Sequence, residues 1–83
     1  MDNKRVSVIM SCFNSEETVS ASIQSLISQD YKNTEILIMD DGSSDNTFKI
    51  LKTFEDSYKN IKVYQNKKNI GLTRSLNILI QKT

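Results

Sequence analysis

At 83 residues the chain holds one domain at most, and a domain of this size buries only somewhat more than ~60% of its unfolded surface. Its 11 basic residues nearly cancel its 10 acidic ones, which argues against nucleic acid as the main partner. The absence of histidine excludes Ser-His-Asp and Cys-His catalysis, while the lone cysteine, Cys12, excludes an internal disulfide, leaves zinc short of its usual ligands and fits a reducing cytoplasmic compartment.

The opening MDNKR-VSVIM is interrupted by Ser11 too early for a signal peptide, and no apolar run approaches the ~20 residues of a membrane span. Residues 6–10 read as a strand. Asn14 then reads as a helix N-cap with Glu17 at the third helical position, an approximate capping box. Behind it Val19, Ile23, Leu26 and Ile27 recur on one helical face. After a polar break at 30–34, residues 35–40 form a second strand. Ile36, Leu37, Ile38 and Met39 put apolar side chains on both of its faces, so both are expected to be covered. The strand ends on Asp40-Asp41, and two acids at such a tip repel each other unless solvent, donors or a ligand compensate. Gly42-Ser43-Ser44-Asp45 is a turn, and Phe48, Leu51, Phe54 and Tyr58 mark a second helix. A third, shorter strand spans 61–65. Asn69-Ile70-Gly71 is a turn before a third helix carrying Leu72, Leu76, Leu79 and Ile80.

The order β-α-β-α-β-α predicts a Rossmann-like, three-layer α/β fold with a mainly parallel three-stranded sheet. No linker or repeat divides it, so residues 1–83 read as a single domain. Ligands of such sheets bind beyond the carboxyl ends of the strands, where residues 11–14 and 40–43 both lie. The two glycines, Gly42 and Gly71, stand 29 positions apart, which excludes the dinucleotide fingerprint and the P-loop.

Five segments then fall in register with one known pattern: V-S-V-I-M at 6–10, F-N-S-E at 13–16, S-L-I-S-Q at 25–29, D-D-G-S-S-D at 40–45 and N-I-G-L-T-R-S-L-N at 69–77. Together they resemble the opening of the family 2 glycosyltransferases, inverting nucleotide-sugar enzymes of the GT-A fold. The resemblance implies a partial GT-A fold and a nucleoside diphosphate sugar, UDP-type, as the bound partner. It implies that Asp41 accepts a hydrogen bond from the pyrimidine ring nitrogen and that Phe13 lies against the base. Ser11 would hold the base edge, Glu16 would stand near the nucleotide, and Arg74 would compensate pyrophosphate charge. Two departures stand out: Ser11-Cys12 replaces the more frequent Pro-Thr, and Leu76 stands where the commoner form has Arg.

Residue chemistry supplies plainer roles beside these. Asp40 and Asp45 suit a turn and a helix cap. Phe13 suits a helix staple, Glu16 a first-turn acid, Arg74 and Lys67-Lys68 a solvated surface, and Cys12 a small packed residue. Asp41 alone reads as functional, because a second carboxylate at a buried strand end is costly without a partner.

The sequence contains no Asp-x-Asp, the motif that in the resembled family holds Mn or Mg on the diphosphate, and no residue here matches the family's general base. No catalytic residue and no metal ligand are therefore assigned within the chain. It is expected to be the incomplete, N-terminal nucleotide-sugar-binding part of an enzyme of polysaccharide synthesis, inactive alone. A non-catalytic nucleotide-binding or interaction module is the alternative. A phosphotransfer domain needs further acids and a lysine where 61–65 ends in Gln65-Asn66, and a calcium loop lacks its glycine spacing. The resembled sheet order leaves strand 6–10 on an open edge, so a homo-oligomer formed through that edge is expected.

Overall fold

A computed structural model describes residues 6–29 and 33–83. The elements alternate strictly: β1 (Val6–Cys12), α1 (Val19–Ile27), β2 (Thr34–Asp40), α2 (Thr47–Ser57), β3 (Ile61–Gln65) and α3 (Leu72–Gln81). The sheet is parallel throughout, in the order β1-β2-β3, with Val6 opposite Thr34 and Cys12 opposite Asp40 on one side of β2. On the other side Ile36 lies opposite Ile61 and Asp40 opposite Gln65. The residues read as a polar break at 30–32, and the opening pentapeptide, lie outside the described residues.

Central position explains the apolar run of β2. Successive strand side chains point to opposite faces, and here both faces are covered. Ile36 and Ile38 pack with Cys12, Val19, Ile23, Leu51, Phe54 and Ile61 in the core under α1 and α2. Leu37 and Met39 pack with Leu79 on the opposite face, under α3. The fold is thus the three-layer, Rossmann-like arrangement expected from the element order. Truncating Ile38, which is fully buried, to Ala would cost about 2–5 kcal/mol.

Two local readings change. Asn14 is not a helix cap: its φ of 47° is left-handed, a conformation asparagine tolerates, and α1 starts only at Val19 after Thr18. The Asn14 carboxamide is drawn away by the Ser44 amide, which donates to its Oδ1 at 2.8 Å. In α3, Leu72 and Ile80 stay exposed, and the small polar Ser75 is buried with Leu79 instead. The first turn of α3 is docked against an acid, and that contact sets the helix's rotation ahead of its apolar stripe.

Candidate functional site

The carboxyl ends of the strands carry three loops, 13–18, 41–46 and 66–71, and the middle one holds the other two. Toward β3 the holding group is Asp41. Its backbone continues the sheet by donating from N–H to the Cys12 carbonyl at 2.8 Å, and its carboxylate is buried at 2% exposure. Oδ1 accepts from Asn66 Nδ2 and the Ile70 amide, both at 2.9 Å. Oδ2 accepts from Asn69 Nδ2 at 3.0 Å and the Gly71 amide at 2.9 Å. Burial by itself pushes this carboxyl up, but the Ile70, Asn66, Gly71 and Ser75 donors outweigh it and hold the acid below its usual range. The compensation demanded by a second acid at a buried strand tip thus comes from the chain itself.

Gly42 makes that docking possible. Its φ is +75°, and a Cβ there would stand 2.5 Å from the carbonyl carbon of Lys68 and 2.6 Å from the Asn69 nitrogen. Only glycine allows the 66–71 loop to lie so close. Asn66 then adds a bond from its Nδ2 to Ser75 Oγ at 3.1 Å, which accounts for the buried serine in α3.

Toward β1 the ties are hydroxyls and an exposed acid. The Asn14 amide donates to Ser43 Oγ and the Ser15 amide to Thr47 Oγ1, each at 2.8 Å. Asp45 Oδ1 accepts from the Thr47 amide at 2.9 Å and the Thr47 hydroxyl at 2.6 Å, while Oδ2 accepts from the Glu16 amide at 3.2 Å. These bonds, the Thr47 hydroxyl foremost, keep the Asp45 carboxyl below its usual range. The N-cap of α2 is Asn46, so Asp45 is not the helix cap expected from its position: it stands one residue earlier and closes the turn onto Thr47.

Asp40 contrasts with both. It is fully buried, and its Oδ2 accepts two long bonds, from the Ser43 amide at 3.3 Å and Gln65 Nε2 at 3.2 Å. Its Oδ1 has no partner among the described residues. Opposite it, burial first and the Asp40 charge second push the Cys12 thiol up to about 11, so Cys12 is a packed thiol and not a nucleophile.

The residues singled out from the sequence separate into two groups. Ser11, opposite Met39, is half-buried on the α3 face of the sheet, the face to which Asp41 also turns. Phe13 follows Cys12, is 46% exposed and lies outside both core clusters. Glu16 lies apart, lining a cleft of about 300 Å³ with Asn14, Ser15, Glu17, Thr18 and Asp45. Arg74 is exposed on the first turn of α3 and forms no ion pair with the described residues. A second cleft, of about 270 Å³, lies among Asn33, Thr34, Glu35, Lys59, Asn60 and Lys62 at the opposite end of the sheet. Sequence reasoning missed Asn66 and Asn69. Their signal was an asparagine on each side of Lys67-Lys68, close to the first turn of α3.

This alternation of strands and helices, with acids and loops gathered at the carboxyl end of a parallel sheet, defines a partial, Rossmann-like fold of the GT-A class. The model of glycosyl transferase family 2 matches residues 7–83, and the chain belongs to that family. EpsE of Bacillus subtilis (strain 168), which carries a glycosyltransferase name, is 47% identical over 74 residues, covering 88% of this chain and 27% of that protein. The Escherichia coli UDP-Glc:alpha-D-GlcNAc-diphosphoundecaprenol beta-1,3-glucosyltransferase WfgD is 55% identical over 58 residues, covering 69% of this chain and 22% of that protein. The mannosyltransferase PcManGT from Pyrobaculum calidifontis, solved in complex with GDP-Man and Mn2+, shares the fold. It superimposes with a TM-score of 0.86 at 18% identity, covering 98% of this chain and 25% of that one. The chain therefore spans about a quarter of the length of these relatives.

Proposed function

We infer that the chain is the nucleotide-sugar-binding part of a glycosyltransferase that moves a sugar from a UDP-type donor to an acceptor hydroxyl with inversion, in polysaccharide synthesis. The observation that carries this reading is that an exposed aromatic, Phe13, and a buried ionised acid, Asp41, each follow directly on the paired strand ends Cys12 and Asp40. A nucleobase is a flat apolar ring with a hydrogen-bonding edge, and this pair offers a face for the one and an acceptor for the other. Ser11 would meet the base edge, and Glu16 and Arg74 would flank the ribose and diphosphate. The relatives' names support the chemistry: WfgD is named a beta-1,3-glucosyltransferase with UDP-Glc as donor, and a relative from Staphylococcus epidermidis is named a poly-beta-1,6-N-acetyl-D-glucosamine synthase.

The acids present do not fit a divalent cation. Among the described residues no three metal-ligating side chains cluster, and the Asp41 oxygens are taken by N–H donors. For a longer enzyme, Mn or Mg and the base that deprotonates the acceptor would come from groups this sequence does not contain. Neither transfer nor donor hydrolysis is expected from the 83 residues alone. Release of nucleoside diphosphate from a panel of nucleotide sugars is the measurement; turnover abolished by a substitution within the chain would overturn this.

Nucleotide titration followed by NMR tests binding. Phe13→Ala is the probe, since Phe13 lies outside both buried core clusters, and it should weaken UDP by about tenfold if the base stacks on it. UDP binding indifferent to Phe13→Ala would remove the site from this strand end.

No helix among the described residues is long and apolar enough to cross a membrane. The buried Cys12 fits a cytoplasmic setting. Self-association belongs to the same proposal: β1 lies at a sheet edge, Val6 is 48% exposed on it, and Leu72 and Ile80 add exposed apolar surface on α3. Light scattering over a concentration series should show a dimer or larger species that Val6→Lys disperses. A monomer at every concentration would refute it.

A further inference from the structure

Asp41 has no acceptor position to spare. A carboxylate offers about four lone-pair sites, and the Asn66, Ile70, Asn69 and Gly71 N–H groups take them all, with the Ser75 hydroxyl close by as a further donor. A nucleobase can reach this acid only by replacing one of them. The four are not equally replaceable. The Ile70 and Gly71 amides lead into α3 and cannot leave without unseating the loop that lies against Gly42. The Asn66 carboxamide is half-buried and shared with Ser75 Oγ. The Asn69 side chain is exposed, and apart from Asp41 Oδ2 it reaches only the Asp41 carbonyl, at 3.3 Å.

We propose that Asn69 is a placeholder: its Nδ2–H2 occupies Asp41 Oδ2 in the empty protein and is exchanged for the ring N–H of an incoming base. This rests on the nucleotide reading above and adds a specificity rule to it. At the ring position the exchange conserves hydrogen bonds when the base supplies an N–H there, as uracil does at N3 and guanine at N1. Cytosine and adenine present a bare ring nitrogen there. Putting either on Asp41 in place of Asn69 sets two acceptors against each other, and the lost bond is not repaid. Asp41, an acceptor only, already favours bases that carry the ring donor, and Asn69 widens the difference because a base without one leaves Asn69 in place.

The test uses the 83-residue protein, 15N-labelled, titrated with UDP, GDP, CDP and ADP. On adding UDP or GDP, the Asn69 side-chain amide resonances should move toward the values of a free carboxamide, while the Ile70 and Gly71 amides stay protected from exchange. Asn69→Ala removes the competitor and should tighten UDP by about fivefold, the equivalent of one net hydrogen bond, leaving CDP unchanged. Asn69→Ser is the second variant should the alanine loosen the loop, and the same direction is expected. UDP bound more weakly by both variants, or bound with the Asn69 resonances unmoved, overturns the exchange and leaves nucleotide binding standing. No nucleotide bound by wild type or by either variant overturns the nucleotide reading itself, and this one with it.

Discussion

Toward the β3–α3 loop, the turn after β2 offers a buried, ionised carboxylate to four N–H donors. Toward the β1–α1 loop, it offers the hydroxyls of Ser43 and Thr47 and the exposed carboxylate of Asp45. Bonds to a charge held out of water are stronger than bonds between neutral groups in solvent, so the first junction is rigid and the second yielding. The side chains left exposed, Phe13 and Glu16, stand on the yielding side. Asp41 holds an element in place through the Ile70 and Gly71 amides and can trade only its exposed Asn69 donor, while the loop opposite keeps its side chains exposed.

Breaking the strong junction should have the largest effect. Asp41→Ala leaves two backbone amides and two carboxamides without their acceptor and should cost about 3 kcal/mol, measured by urea unfolding. Asp41→Asn keeps the shape but removes the charge, and it has a pH signature. The folded-state carboxyl lies below its unfolded value, so its contribution is complete above the unfolded pKa of 3.8 and is lost as pH falls through the lower folded value. The acid limb of the stability curve should therefore flatten in Asp41→Asn; an unchanged limb would count against the buried ionised pair of oxygens.

Forcing the same junction apart sterically comes next. Gly42→Ala places a Cβ against the Lys68 and Asn69 backbone at a left-handed φ, and should cost about 2 kcal/mol while speeding amide exchange at Ile70 and Gly71. Asp45→Ala sharpens the contrast from the other side. Its effect on stability should be smaller than that of Gly42→Ala, with faster exchange confined to the Glu16 and Thr47 amides. Exchange spreading to Ile70 would show the two junctions to be one unit. Smallest of all is the effect at Cys12: with its pKa pushed up to about 11, the thiol should resist disulfide reagents at pH 8 until the protein unfolds.

Much of this was legible in the residue order, and the misses have particular causes. The apolar run 36–39 marked a central strand because only a strand covered on both faces needs apolar side chains at consecutive positions. Asp45 was legible as a local turn residue, though not as the cap, because its partner, Thr47, is two residues away and Asn46 takes the cap position. The start of α1 was misread because the Asn14 carboxamide bonds to Ser44, 30 residues on, and no local pattern carries that distance. The stripe of α3 was misread for the same reason: Ser75 is buried beside Asn66 at the strand end, in a contact made only once β3 and α3 have come together.

Local chemistry, then, determined the alternation of elements, the parallel sheet and the family, since periodicity, turn residues and motif spacing act within a few positions of themselves. Whether the second acid of Asp40-Asp41 needed an outside partner was decided only in three dimensions. A carboxylate's charge state and cost depend on which donors surround it, and those of Asp41 come from residues 25 to 30 positions away, delivered by the close pass of a loop over Gly42.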